Sequence, residues 1–142
     1  MIKNYKKRIK RNIEKYINLH YQKVNKEEML LGEGIFNHRC QYNAVQQVKK
    51  GAMTEVYSCL VMSDAFFPVV HFINRNDEGK YVDNTLGWKY EMYDYYIMKK
   101  IEEDQFEKID DILNESKEML LKLNSSAFIN KLLFINEHNL GI

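Results

Sequence analysis

The chain has 142 residues, 45% of them hydrophobic and 29% charged, which are ordinary values for one globular domain with a single core. No stretch approaches the roughly 20 apolar residues of a membrane span, and the basic N-terminus lacks the apolar segment of a secretory signal. Two cysteines do not make a disulfide framework, so we expect a cytoplasmic protein without a cofactor.

The net charge of +1 conceals a strongly basic first segment, residues 1–26, which has nine Lys or Arg and one acidic residue. The remainder has 12 basic and 19 acidic residues and is mildly acidic. Apolar side chains recur in the first segment at helical spacing and predict an amphipathic helix: Ile2, Tyr5, Ile9, Ile13, Tyr16, Ile17, His20 and Val24. This helix either packs on the acidic body with its cations in water or binds an acidic partner. Nothing else in the sequence favours nucleic-acid binding.

A glycine-containing loop over residues 32–37 precedes a predicted helix over residues 38–50. Asn37 is a plausible N-cap for this helix, and Gly51 stands where a helix end favours a left-handed residue. Cys40 therefore lies in the predicted first turn.

Residues 55–85 have the β-branched and aromatic composition of strands. We predict strands over residues 55–63, 66–74 and 80–85, with a turn over residues 75–79 that makes a hairpin of the last two. Residues 91–142 are predicted to be mainly helical, although the tyrosine-rich residues 93–98 also fit a strand.

The position of Cys40 suits a thiol nucleophile, because a helix N-terminus favours the thiolate and its free N–H groups can bind an oxyanion. Such a nucleophile needs a base, and the base needs a third group to hold its ring. If the hairpin is symmetric about Asp77, His71 and Asp83 are direct cross-strand partners on one face of the sheet. Asp83 could then accept the ring N–H of His71 and leave the other nitrogen for Cys40. Cys59, in the middle of a strand, is predicted to be a core thiol.

The order of a Cys that opens a helix, a His on a strand and an Asp on the next strand resembles the papain-like and transglutaminase-like cysteine enzymes. The stretch HFINRNDEGKYVDNTLGW is similar to the transglutaminase-like pattern, and the resemblance covers about residues 34–90. It implies a catalytic core there, with Cys40 as nucleophile, His71 as base and Asp83 as orienting group. The chain departs from the pattern at Gln41, where an aromatic residue is common, and at Asn84, where many relatives have Pro.

Three further residues are weaker site candidates on this reading. Asn37 and the backbone N–H of Cys40 could bind an oxyanion, while Asn84 and Trp88 could contact the substrate. A zinc site built from His38, Cys40, His71 and Asp83 is an alternative, although the spacing on the helix is awkward for it.

Together these observations predict one α+β domain over residues 1–142, with a small antiparallel sheet packed against helices in a papain-like or transglutaminase-like arrangement. The expected function is thiol-based acyl chemistry on a protein or peptide: hydrolysis, deamidation or acyl transfer. The alternative is a non-catalytic protein-binding module, with a degenerate relative of these enzymes included, that engages an acidic protein through the basic N-terminal helix. Neither a membrane nor a nucleic acid is expected as a partner.

Overall fold

A computed structural model of the protein describes residues 2–123, in which three α-helices pack around a six-stranded sheet. The helices are α1 (Ile2–His20), α2 (Cys40–Lys49) and α3 (Ile109–Leu123). The strands are β1 (Gln22–Lys23), β2 (Met29–Leu30), β3 (Glu55–Ser63), β4 (Phe66–Arg75), β5 (Tyr81–Val82) and β6 (Asp94–Ile101). Short 3-10 helices cover Lys26–Glu28, Gly87–Met92 and Glu103–Lys108. The predicted α+β class is confirmed.

The sheet has the strand order β1-β6-β3-β4-β5-β2 and is mixed. Its neighbours are antiparallel except β2 and β5, which pair in parallel. The prediction of an antiparallel sheet is therefore wrong at this edge. Because β2 has only two residues and no hydrophobic alternation, the sequence pattern does not reveal it.

Strong curling of the sheet follows from its connectivity. β1 and β2 lie at opposite edges, yet only residues 24–28 join them. In a flat sheet the first and sixth strands would lie about 24 Å apart at normal spacing, whereas this link spans at most about 20 Å when fully extended. The sheet must therefore curl until its two edges approach each other. Lys80 contributes to this closure, because its Nζ donates to the carbonyl oxygen of Glu27 at 3.0 Å.

The two faces of the curled sheet are covered differently. On the convex face, α1 and α3 bury one apolar cluster: Ile9, Ile13, Ile17, Leu60, Met62, Tyr96, Leu120 and Leu123. A second cluster lies between α2, α3 and the sheet: Ala44, Val45, Val56, Phe72, Ile101, Phe106, Ile109 and Ile112. The concave face closes on itself around a third cluster: Val24, Met29, Cys59, Val61, Ile73 and Tyr95. The central strand β3 is thus buried on both faces, which explains its nearly continuous apolar sequence.

Several local predictions change in the structure. The helix of α2 begins at Cys40 and ends at Lys49, and Gly51 takes the expected left-handed backbone with φ 80°. β6 occupies the start of the region predicted to be mainly helical, because its residues fill the open edge of β3. The helical prediction for residues 124–142 lies outside the described residues. None of the helices within residues 2–123 combines the length and apolar character that crossing a bilayer requires.

Candidate active site

Two loops lie side by side and bring the segment before α2 next to the end of β5. Backbone N–H groups of residues 34–36 donate three hydrogen bonds of 3.0 Å to carbonyls of residues 84–85. At Gly32 a Cβ would lie 2.3 Å from the carbonyl oxygen of Asp83, a distance that no side chain tolerates. Glycine alone permits this approach, so the glycine-containing loop determines how α2 is placed relative to Asp83.

The turn immediately before α2 has a strained backbone. Phe36 and His38 have φ of 51° and 58°, a left-handed conformation that bulky residues seldom adopt. Asn37 lies between them, and its Oδ1 accepts the backbone N–H of Arg39 at 3.0 Å and the amide of Asn43 at 2.8 Å. Arg39, rather than the predicted Asn37, is the residue that precedes the helix. Asn37 therefore supports the turn and does not line the cavity described below.

Cys40 is the first residue of α2 and is half-buried. The first backbone hydrogen bond of the helix joins the N–H of Asn43 to the carbonyl of Arg39, at 2.9 Å. The N–H groups of residues 40–42 precede this bond and have no partner within the helix. The Cys40 sulfur donates to Oε1 of Gln41 at 3.8 Å, and hydrogen bonding from the backbone of Phe72 acts to lower the pKa of the thiol. The thiol thus lies among backbone donors, as the sequence predicts for a helix start.

His71 and Asp83 are in contact, with 2.8 Å between Nε2 of the imidazole and Oδ2 of the carboxylate. His71 lies on β4, while Asp83 follows the last residue of β5. The predicted register is wrong, since Asn74 pairs with Val82 rather than with Lys80. A displacement of two residues keeps the same side chains on the same face, and diagonal neighbours remain within reach. The predicted contact is therefore present without the predicted direct pairing.

The carboxylate of Asp83 is fully buried and has four hydrogen-bond donors. Oδ2 accepts from His71 and, at 2.6 Å, from the hydroxyl of Tyr95. Oδ1 accepts the backbone N–H groups of Thr85 at 3.1 Å and Leu86 at 2.9 Å. Asp83 is thus fixed in position and can hold the ring of His71. The sequence gives no sign of the role of Tyr95, because a buried tyrosine in a strand is ordinarily a core residue.

The ionisation of the three groups is coupled. Burial opposes protonation of His71, but the charge of Asp83 and its hydrogen bond outweigh this effect and raise the pKa of His71 to about 10. Burial also opposes the Cys40 thiolate, yet hydrogen bonding and charge from His71 keep the pKa of Cys40 below its usual value. The pKa of Asp83 is likewise lowered, because the charge and hydrogen bond of His71 overcome the effect of burial. The imidazolium of His71 is therefore favoured near neutral pH, and the thiolate of Cys40 forms more readily than that of an ordinary cysteine.

Cys59 has the opposite character. It is completely buried in β3, and its sulfur donates to the backbone carbonyl of His71 at 3.5 Å. Burial, followed by the negative charge of Asp83, raises the pKa of this thiol well above its usual value. Its predicted place in the core is confirmed.

A cavity of about 560 Å³ opens beside Cys40 and His71. This volume falls in the range of small-ligand sites. Most of its wall is apolar, and two lysines, Lys89 and Lys117, also line it. Besides these lysines, Cys40 and His71, the lining residues are Phe36, His38, Gln41, Val61, Phe66, Val69, Val70, Thr85, Leu86, Tyr93 and Leu113. Cys40 and His71 consequently form part of the wall of a partly enclosed site that could hold a small molecule or a peptide side chain.

Two predicted substrate contacts lie outside this cavity. Asn84 is buried, accepts the backbone N–H of Glu33 at 3.2 Å and donates to Asn74 at 3.0 Å. Trp88 is 60% exposed. Asn84 therefore joins two loops and Trp88 lies mostly in solvent, and neither side chain lines the cavity beside Cys40.

The zinc alternative finds no support in residues 2–123. In that part of the chain no group of three or more His, Cys, Asp or Glu side chains is arranged to hold a metal ion. His38, whose backbone is left-handed, lines the cavity rather than joining the contact between His71 and Asp83.

Comparison with known proteins does not assign a family. No protein-family model matches the chain, and no curated protein or solved structure is significantly similar to it.

Proposed function

We propose that the protein performs thiol-based acyl chemistry on a protein or peptide, with Cys40 as nucleophile, His71 as proton carrier and Asp83 as orienting group. The main support is the contact of 2.8 Å between His71 Nε2 and Asp83 Oδ2. Because this contact occupies Nε2, it leaves Nδ1 for the thiol that opens onto the cavity.

In this mechanism the Cys40 thiolate adds to a carbonyl carbon, and the carbonyl electron pair moves to oxygen. Free N–H groups at the start of α2 stabilise that oxyanion. His71 then gives its Nδ1 proton to the leaving nitrogen as the carbon–nitrogen bond breaks, which leaves a thioester on Cys40. Water or an amine next attacks the thioester while His71 takes up a proton, and the sulfur departs as thiolate.

The class of outcome depends on the groups that leave and enter. Peptide hydrolysis releases an amine and admits water, deamidation releases ammonia, and acyl transfer admits an amine instead of water. The fold proposed for this chemistry is papain-like or transglutaminase-like, supported by the order of a helix-opening Cys40, a strand His71 and a following Asp83. Both cysteines in the described residues are free, which suits a reducing cytoplasm.

Formation of an acyl-enzyme tests this proposal without knowledge of the natural substrate. The protein is mixed with p-nitrophenyl acetate, and its intact mass is followed together with release of nitrophenol. We expect one acetyl group on wild type and on Cys59→Ala, sensitive to hydroxylamine as a thioester is. Cys40→Ala should not acquire this acetyl group over the time in which wild type does. Equal acetylation of Cys40→Ala would refute the proposal.

Binding of an acidic protein through α1 is the second candidate function. This helix exposes five cationic side chains that belong to no ion pair in the described part of the chain: Lys6, Lys7, Arg8, Arg11 and Lys15. For such a binder, reversing the charge of Lys6, Lys7 and Arg11 should abolish capture of its partner, and added salt should weaken it. Cys40→Ala should then have no effect on capture, whereas an enzyme would lose activity with Cys40→Ala and tolerate the charge reversal.

A further inference from the structure

The wall of the cavity carries positive charge and no carboxylate. Lys89 and Lys117 both line it, and no Asp or Glu of the described residues does. One carboxylate close to this wall, Asp110 of α3, accepts the amide of the lining residue Gln41 at 3.1 Å. Asp110 lies two turns before Lys117, about 10 Å along the helix, so it does not neutralise that lysine by direct contact.

The two lysines come from different parts of the fold. Lys89 belongs to the 3-10 helix Gly87–Met92, and its Nζ lies 5.3 Å from the ring centre of Phe36. Lys117 belongs to α3 and is exposed. Among the described residues neither lysine has an ion-pair partner. Between them the wall is aliphatic and aromatic, so it offers an apolar pocket with cationic groups at its rim.

We propose that the substrate is a peptide segment that places an apolar side chain in this pocket and a carboxylate against Lys89 and Lys117. The apolar side chain gains by leaving water, and the carboxylate finds two cations with no competing acid on the cavity wall. This inference rests on the proposed function of Cys40. The carboxylate comes from an acidic side chain or from the C-terminus of the peptide.

Alkylation with a charged and a neutral reagent measures the field of these lysines. Iodoacetate and iodoacetamide react with the same sulfur, and the ratio of their rate constants reports the preference for an anion. We expect Lys89→Gln combined with Lys117→Gln to lower this ratio by about threefold at low salt. Lys122→Gln, an exposed change on α3 away from the cavity, is the matched control and should leave the ratio unchanged.

Short peptides then test the substrate class and the source of the carboxylate. Protection of Cys40 from iodoacetamide is measured with N-acetyl-leucyl-glutamate amide, its glutamine counterpart and N-acetyl-leucine. We expect either N-acetyl-leucyl-glutamate amide or N-acetyl-leucine to protect Cys40 at a lower concentration than the neutral glutamine peptide does. In the double lysine variant the carboxylate compound and the neutral peptide should protect equally. Whichever protects identifies the side chain or the C-terminus as the source.

The outcomes separate this inference from the proposed function. If Cys40 reacts as an activated thiol but the reagent ratio is the same in the double lysine variant, the anionic substrate is refuted and the nucleophile stands. Equal protection by neutral and acidic peptides refutes it as well. If Cys40 reacts as an ordinary thiol, the proposed function itself fails.

Independently, the geometry points to the Thr85 hydroxyl as a hydrogen-bond donor to the reacting carbonyl oxygen. Thr85 is 5% exposed and lines the cavity with Cys40 and His71. Its Oγ1 accepts the amide of Asn43 at 2.8 Å, so its hydroxyl proton must be directed elsewhere. Among the described residues Thr85 Oγ1 accepts this hydrogen bond and donates none, and a substrate oxygen in the cavity would supply an acceptor.

Two reactions of the same sulfur distinguish this role from a structural one. Acylation by p-nitrophenyl acetate passes through an oxyanion, whereas alkylation by iodoacetamide at carbon does not. We expect Thr85→Val to slow acylation by about tenfold or more and to leave alkylation unchanged, while Thr85→Ser retains both. Equal loss in both reactions, or no loss in either, would overturn the assignment.

Discussion

Two cysteines in neighbouring parts of this molecule have opposite chemical properties. Cys40 lies at a helix start beside a charged histidine, whereas Cys59 lies in the middle of the sheet and is completely buried. The pKa of Cys40 is lowered despite burial, and the pKa of Cys59 is raised by it. Both touch His71, Cys40 through the side chain and Cys59 through the backbone carbonyl. The difference in pKa therefore depends on donors and charges near each sulfur and not on proximity to His71, and we expect reactivity to follow it.

Of the changes described below, removal of the negative charge at Asp83 should reduce the difference in reactivity between Cys40 and Cys59 most. Asp83→Asn keeps the shape but no longer favours a charged imidazole, so less thiolate forms at Cys40. We expect alkylation by iodoacetamide at pH 6 to slow by about tenfold or more. Asp111→Asn, at an exposed position outside the cavity, is the control. An unchanged rate in Asp83→Asn would show that Asp83 does not act through His71.

Changing Cys59 should affect stability and leave chemistry intact. Cys59→Ala removes a buried sulfur from the concave core, and we expect the free energy of unfolding to fall by about 1–2 kcal/mol. The alkylation rate of Cys40 should stay within twofold of wild type. Chemical denaturation and peptide mapping measure the two quantities. A large loss of Cys40 reactivity would mean that the two thiols are not independent.

The ionisation of His71 should appear in the pH dependence of stability once Cys40 is removed. In the wild-type ion pair, Cys40 and His71 together bind one proton. The same two groups in the unfolded chain also bind one proton between about pH 6.5 and 8.5, so the pair makes stability independent of pH in that range. In Cys40→Ala the raised pKa of His71 stabilises the folded state fully below about pH 6.5. Asp83 still raises the pKa of His71 in this variant, whereas the contribution of the Cys40 sulfur is absent. The stabilisation is therefore lost as pH rises above about 6.5 and through that remaining raised pKa, by up to about 1.4 kcal/mol per pH unit.

Equilibrium denaturation between pH 6 and pH 10 measures this effect. The control Cys40→Ala combined with His71→Gln should lack the decline. If Cys40→Ala itself shows a flat profile over this range, His71 is neutral in the folded protein.

A smaller effect on Cys40 reactivity than that of Asp83→Asn is expected at Tyr95, whose hydroxyl donates to Asp83 and carries no charge. Tyr95→Phe leaves one buried carboxylate lone pair without its donor, so the free energy of unfolding should fall by about 1–2 kcal/mol. Alkylation of Cys40 at pH 6 should slow less than in Asp83→Asn, because the carboxylate charge remains. A larger kinetic effect at Tyr95 than at Asp83 would contradict the assigned roles.

Local patterns predict the elements around Cys40 and His71 because helix starts and β-branched strands are determined by nearby residues. β3 has the predicted bounds, and the left-handed Gly51 ends α2 as expected. The sequence does not reveal the register of the hairpin, because β5 ends after Val82 and Asp83 already begins a turn. Turn geometry of this kind depends on contacts with the loop at residues 34–36.

Features of the site that depend on distant contacts have no signature in the sequence. Tyr95 reaches Asp83 only because the sheet curls, and Lys89 and Lys117 meet at one cavity from two separate helices. For the same reason Asn84 and Trp88, placed near the site by sequence position, lie outside the cavity. The contact between His71 and Asp83 follows from spacing, whereas the surrounding cavity follows from tertiary packing.

The most direct test of the account is the pH dependence of Cys40 alkylation by iodoacetamide, with Cys59 as an internal control and His71→Ala as the comparison. The account predicts fast reaction of Cys40 below about pH 7, with an apparent pKa well under the roughly 8.5 of a free thiol, and loss of this reactivity in His71→Ala. Cys59 should not react in the folded protein. A Cys40 that is inert, or that titrates as an ordinary thiol whether or not His71 is present, would contradict the proposed nucleophile and favour the binding protein.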